Sequence, residues 1–152
     1  MGVSDRLAEL GIELPPVAAP VAAYVPATRL GDVIRTSGQL PLVDGALPAK
    51  GKVGSDVPAE DAKGLARVAA LNALAAAAAQ AGGLDGLSRV LHVTVFVSSA
   101  PDFTGQAAVA NGASEVLGEI FGEAGRHSRS AVGVAVLPLD TPVEVEVQFG
   151  TV

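Results

Sequence analysis

Seven consecutive residues, Ala131-Val132-Gly133-Val134-Ala135-Val136-Leu137, carry no polar side chain, and the run reads as a strand. The next strand-like stretch, 143–149, alternates: Val143, Val145, Val147 and Phe149 share one face, and Glu144, Glu146 and Gln148 share the other. The second is an ordinary half-buried strand, whereas the first has no polar face at all. Two helices can cover only one side of a small sheet, so the other dry face calls for a partner. A closed ring of copies is the simplest way to supply one. The alternative is a central strand covered entirely within one chain.

At 152 residues the chain suits one domain, able to bury roughly 70% of its unfolded surface. Hydrophobic residues make up 49% and charged ones 17%, which argues for a packed globule and against disorder. The apolar excess is mostly Ala and Val, with one Tyr, four Phe and no Trp, so the interior must rely on close backbone approach.

Along the chain, 4–10 suits a short helix with Ser4 as N-cap and Gly11 as its stop. Prolines then force an extended arm as far as Pro20. Two β-rich runs, 21–28 and 33–40, meet at Leu30-Gly31-Asp32 and read as a hairpin. A long helix should begin near Pro58, which suits a first helical turn, and end at Gly82-Gly83. A strand over 87–97 follows, then a second helix over 104–121 with Gly112 as a weak point, then strands at 130–137 and 143–149. The order ββ-α-β-α-ββ places the chain in the α+β class, with a helix and arm over 1–20 and a single domain over 21–152.

Formal net charge is −6, from 10 basic and 16 acidic residues, and the basic ones occur as pairs rather than a stripe. Nucleic acid is therefore a poor candidate partner. The absence of cysteine excludes disulfides, thiolate nucleophiles and Cys-based zinc sites. His92 and His127 are too far apart for a helix-borne metal pair, and nothing calls for a metal. The first residues lack the basic and apolar regions of a secretory signal. Arg67, Asn72 and Gln80 interrupt the Ala-rich run at 65–81, which does not read as a membrane span; the cytoplasm is the expected location.

Several catalytic signatures fail. Five residues, not four, separate Gly45 from Gly51, and Val53 stands where a phosphate loop needs a hydroxyl. There is neither a G-x-S-x-G elbow nor a G-x-G-x-x-G, and Gly118, Gly122 and Gly125 suit close helix packing and a helix end. What stands out is Arg129 just before the apolar strand and Glu144 early in the next. Antiparallel pairing of those two strands would put Glu144 near the end far from Arg129, so the two need not touch within one chain. On spacing alone both read as surface residues, and His127 reads as a solvated neighbour of Arg126. Asn72, inside the first long helix, suits a buried structural amide.

The serial pattern adds more. Tyr24-Val25, then Thr36-Ser37-Gly38-Gln39-Leu40-Pro41, Val93-Thr94-Val95-Phe96-Val97, Arg129-Ser130-Ala131-Val132 and Val143-Glu144-Val145-Glu146 together resemble the RidA/YjgF family, also called L-PSP endoribonucleases. The resemblance covers nearly the whole chain and is nearest to the longer branch of that family. It implies a chorismate-mutase-like fold, an antiparallel sheet packed by two helices, and a homotrimer with clefts between subunits. The implied reaction is hydrolysis of reactive enamines or imines to 2-oxo acids and ammonia, with no cofactor. By the same resemblance Arg129 would hold a substrate carboxylate and Glu144 would position or deprotonate water. Tyr24, Ser37, Gly38, Ala131 and, by a looser match, Asn111 would line the cleft. Two departures bear on substrate: Ala131 stands where better-characterised members often have Cys, and Gly133 where they have Glu. A ribonuclease and a non-enzymatic carboxylate-binding trimer are the competing readings.

Overall fold

The computed structural model describes residues 1–20 and 22–152. Its elements are α1 (Val3–Leu10), β1 (Ala27–Leu30), β2 (Val33–Thr36), α2 (Ala59–Ala81), β3 (Leu87–Ser98), α3 (Gln106–Phe121), β4 (Ser128–Val134) and β5 (Val143–Thr151). The five strands form one sheet in the order β1-β2-β5-β3-β4, and α2 and α3 pack on one face of it.

The α+β class and the two packing helices are as the sequence implies, but the sheet is not wholly antiparallel. β3 and β4 run parallel, with Val93 opposite Arg129 and Val97 opposite Gly133. The reason is α3, which carries the chain back to the starting edge between them, as a crossover connection must. The expected direct pairing of the last two strands is also corrected. β5 lies on the other side of β3, antiparallel to it, and fills the space between β2 and β3.

Local chemistry explains where elements begin and end. The first β-run was expected over 21–28, but β1 begins at Ala27, because Pro26 has no N–H to offer a ladder; Val21 lies outside the described residues. β2 stops at Thr36 rather than residue 40. There the Thr36 hydroxyl accepts the Val147 N–H at 3.1 Å, and backbone pairing resumes only at Gln39, which exchanges hydrogen bonds with Val145 at 2.7 and 3.0 Å. Pro58 stands one position before α2, and Gly82 ends the helix in the left-handed conformation with φ 79°. Ser4 is not the cap of α1; Gly2 is, and the Ser4 hydroxyl and N–H instead bond the Asp85 carboxylate at 2.6 and 3.0 Å. That contact lies beside buried Leu7 and an Arg6 Nε to Glu119 carbonyl bond of 2.9 Å, which hold α1 onto α3.

The core lies between the helices and the sheet. Val93, Val95 and Val97 of β3, Val143, Val145, Val147 and Phe149 of β5, and Ile34 of β2 face the small surface of α2, where Ala62, Ala66, Ala69, Ala70, Ala73 and Ala77 are fully buried. By length and composition α2 could cross a membrane, yet 56% of that window is buried in the fold. Asn72 is a structural amide, its Nδ2 donating to the carbonyls of Leu40 and Leu42 at 3.0 and 3.1 Å. Gly112, expected as a weak point, is where α3 meets α2: a Cβ there would run into the Lys63 backbone carbonyl.

The apolar run that dominates the sequence is an edge strand, not a strand dry on both sides. Its 131 and 133 positions lie on the helix side, its last residues leave the sheet, and Val132 and Val136 are 43% and 64% exposed. The open face of the sheet is more polar than the run suggests. It carries Arg35, Glu144, Glu146, Gln148, His92, Thr94 and Ser130, with an apolar patch where Phe96 pairs Val132.

Candidate functional site

The residues singled out by sequence fall into two groups on opposite faces of the sheet. Arg129 stands opposite Val93 and Glu144 opposite Phe96 on the same β3 strand. Three residues along a strand separate the two levels by about 10 Å and reverse the face, so one chain does not bring the two side chains together.

The first group sits between β4 and α3. The half-buried Arg129 donates from Nη1 to Asn111 Oδ1 at 2.8 Å and to Ser114 Oγ at 3.2 Å, and from Nη2 to the Ala107 carbonyl at 3.4 Å. The loosest sequence match, Asn111, is thus its shortest contact. All three partners are neutral, and none of the salt bridges among the described residues includes Arg129. A guanidinium held in place without a counter-charge is ready to bind an anion. Ala131 is the next residue on the same face and is partly buried against the core. At Gly133 a side chain would meet the Gln106 amide, which instead donates to the Phe103 carbonyl at 2.9 Å and Ser99 Oγ at 3.2 Å. The Gln106 amide from α3 thus occupies the space that a side chain at 133 would take.

The second group surrounds Glu144, at a cleft of about 60 Å³ lined by Tyr24, Pro26, Gly38, Gln39, Leu40, Pro138 and Glu144 among others. The Thr36 hydroxyl interrupts the β2–β5 ladder at this point, and Gly38 follows. A Cβ on Gly38 would overlap the Glu144 carboxyl, so the glycine makes the space that carboxyl occupies. Burial, and then the charge of Glu146, raise the Glu144 pKa above its ordinary value. Tyr24 is 43% exposed and belongs to the cleft wall, not to the core. Ser37 does not line this cleft; its hydroxyl donates to the Val25 carbonyl at 2.6 Å and fixes the arm.

Two residues were missed by the sequence reading. His127 is not a solvated neighbour of Arg126: its Nε2 lies 2.9 Å from Ser114 Oγ and its Nδ1 2.6 Å from the Gly125 carbonyl. Ser114 in turn touches Arg129. Spacing offered part of the signal, since 107, 111 and 114 recur at helix period, but nothing in it brings that helix face to 127 and 129. Among the described residues no cluster of His, Asp and Glu could hold a metal ion.

Comparison with known proteins follows the same lines. The YjgF/chorismate mutase-like family model, which also carries an endoribonuclease name, matches residues 4–148. Protein TCP17 of Trypanosoma cruzi is 43% identical over 95% of this chain and 91% of its own length. The 2-iminobutanoate/2-iminopropanoate deaminase of Escherichia coli is 35% identical over 84% of this chain and 87% of its own. A crystal structure of an Agrobacterium tumefaciens protein of unknown function superimposes with a TM-score of 0.88 at 42% identity, covering 99% of this chain and 92% of the other. With its five-stranded sheet backed by two helices and a matching model over nearly its whole length, this chain belongs to the YjgF/RidA family.

Proposed function

We propose that the protein hydrolyses small 2-imino acids, and the enamines that give rise to them, to 2-oxo acids and ammonia. Water adds to the C=N carbon and the C–N bond of the resulting carbinolamine breaks, so that imine and water become ketone and ammonia. An imine is already electrophilic, and the protein has mainly to orient it against a water. Arg129 takes the carboxylate; Glu144, with its pKa raised by burial, accepts the proton of the attacking water and returns it to the leaving nitrogen. No cofactor is needed for these steps.

The observation that carries this reading is the guanidinium of Arg129, half-buried and held by neutral partners alone. Because Arg129 and Glu144 occupy opposite faces of one sheet, the reading requires the site to form between copies, the Arg129 group of one meeting the Glu144 and Tyr24 cleft of the next. A homotrimer in the cytoplasm, with a small carboxylate-bearing substrate in each intersubunit cleft, satisfies that requirement. Val132, exposed on the edge strand, and Val136, exposed just beyond its end, support the assembly. Cleavage of RNA has less behind it, since the net charge is −6 and a polyanion needs a basic surface.

The test is turnover of freshly generated 2-iminobutanoate by the wild type and Arg129→Ala. Turnover lost by at least about a hundredfold in the variant, with the oligomer intact, is expected, because the carboxylate loses a charge-assisted fork. Equal rates would refute the assignment. Carboxylate binding without turnover of any imine would favour a non-enzymatic binding trimer.

A further inference from the structure

Arg129 is the last link of a hydrogen-bonded chain that continues beyond α3. Gly125 offers a carbonyl, which can only accept, so His127 Nδ1 at 2.6 Å carries the ring hydrogen. In the neutral ring Nε2 is then an acceptor, and the Ser114 hydroxyl at 2.9 Å must be its donor. With its hydrogen turned to His127, the Ser114 oxygen presents a lone pair to Arg129 Nη1 at 3.2 Å. His127 thereby sets the direction of Ser114, and Ser114 the direction of the guanidinium.

The consequence is a choice of edge. A guanidinium has five N–H donors. Asn111 Oδ1 and Ser114 Oγ engage both hydrogens of Nη1, and the Ala107 carbonyl lies 3.4 Å from Nη2. These three partners project from one face of α3, at spacings of four and three residues. Nε–H has no partner among the described residues, and Nη2 beside it has only the long contact to Ala107; together these two nitrogens form a side-on fork whose spacing matches the two oxygens of a carboxylate.

We propose that Ser114 and His127 are positioning residues that lock Arg129 so that a ligand carboxylate docks side-on, on its Nε–Nη2 edge. This rests on the reading of Arg129 as the carboxylate anchor, but not on the deaminase chemistry. Neither residue touches the ligand. The alternative for the same pair is nucleophilic, because a serine bonded to a histidine that is itself oriented by a third group is also how hydroxyl nucleophiles are activated. The Arg129 contact favours positioning: the Ser114 oxygen is already engaged by a cation, which weakens it as a nucleophile.

The experiment measures two quantities on the intact protein: the KM and kcat for 2-iminobutanoate, and the Kd for unreactive 2-oxobutanoate. One lost orienting hydrogen bond corresponds to about a tenfold change. His127→Ala and Ser114→Ala should each raise KM and Kd about tenfold while kcat changes little, and the double variant should be no worse than either, as for links of one chain. His127→Gln, which keeps an acceptor toward Ser114, should recover most of the loss, which rules out a mere folding defect. Nitrogen-15 spectra should show His127 as the neutral Nδ1–H tautomer. The proposal is overturned by an unchanged Kd in both single variants, by additive losses, by the opposite tautomer, or by covalent labelling of Ser114 with a fluorophosphonate. If the wild type binds 2-oxobutanoate in a His127-dependent way but turns over no imine, the deaminase reading falls and the positioning chain stands. If it binds no 2-oxobutanoate at all, the carboxylate anchor and this proposal fall together.

Discussion

Two glycines of α3 experience opposite environments, and replacing each by alanine tests the packing argument directly. In either place alanine favours the helix by about 1 kcal/mol, by restricting the unfolded backbone. At Gly118 no atom lies within 4 Å of the new methyl group, so that gain should appear in full. At Gly112 the methyl would overlap the Lys63 carbonyl oxygen and lie 2.8 Å from its carbon. The obstacle is backbone of α2, so relief requires α2 and α3 to move apart over a core of alanines and valines. Overpacking of this kind costs about 1–3 kcal/mol, and the upper end applies because no flexible side chain can yield. The net expectation is a loss of about 2 kcal/mol for Gly112→Ala and a gain of about 1 kcal/mol for Gly118→Ala. For a chain of this size these correspond to a melting temperature lower by about 4–8 °C and higher by about 2–4 °C. Thermal unfolding followed by circular dichroism, at one fixed protein concentration so that any self-association weighs equally on all variants, measures both. A neutral or stabilising Gly112→Ala would refute the claim that close backbone approach, not side-chain bulk, sets the α2–α3 spacing.

Other perturbations separate the site from the fold. Gly38→Ala should lower imine turnover about a hundredfold by displacing the Glu144 carboxyl, with little loss of stability because that side chain can swing aside; unchanged kcat would remove Glu144 from the reaction. Glu144→Gln should raise the melting temperature near neutral pH. The folded-state pKa of Glu144 is raised, so the wild type loses stability as pH rises from the ordinary carboxylate value through the raised one, and the two proteins should converge in acid. A pH-independent difference in melting temperature would contradict that origin. Asp85, whose pKa is lowered by its bonds from Ser4, has the reverse sign: α1 should loosen as pH falls through that lowered value, and in Asp85→Asn at any pH. Amide exchange over Val3–Leu10 reports it, and unaltered protection in the variant would show that Leu7 alone holds the helix.

Local patterns in the chain determined a good deal about this protein. The alternation of 143–149, the helical spacing before Gly82 and the proline-rich arm were enough to assign nearly every element, because periodicity and capping act over a few residues. The serial motifs were enough for the family, and they named Arg129 and Glu144 before any geometry was available. Only the tertiary structure decided the order of the strands. That β5 lies between β2 and β3, and that β4, the strand carrying Arg129, is an edge strand, depends on pairings between residues far apart in the chain. A run of apolar residues has the same appearance in sequence whether it is a central strand or an edge awaiting a partner, which is why 131–137 suggested a drier sheet than the fold contains. The role of His127 was hidden for the same reason. The carbonyl of Gly125 is a local partner two residues away, but Ser114 on α3 comes into reach only when the crossover from β3 to β4 folds α3 against the sheet edge, and that hydrogen bond is set by distance in space, not in sequence.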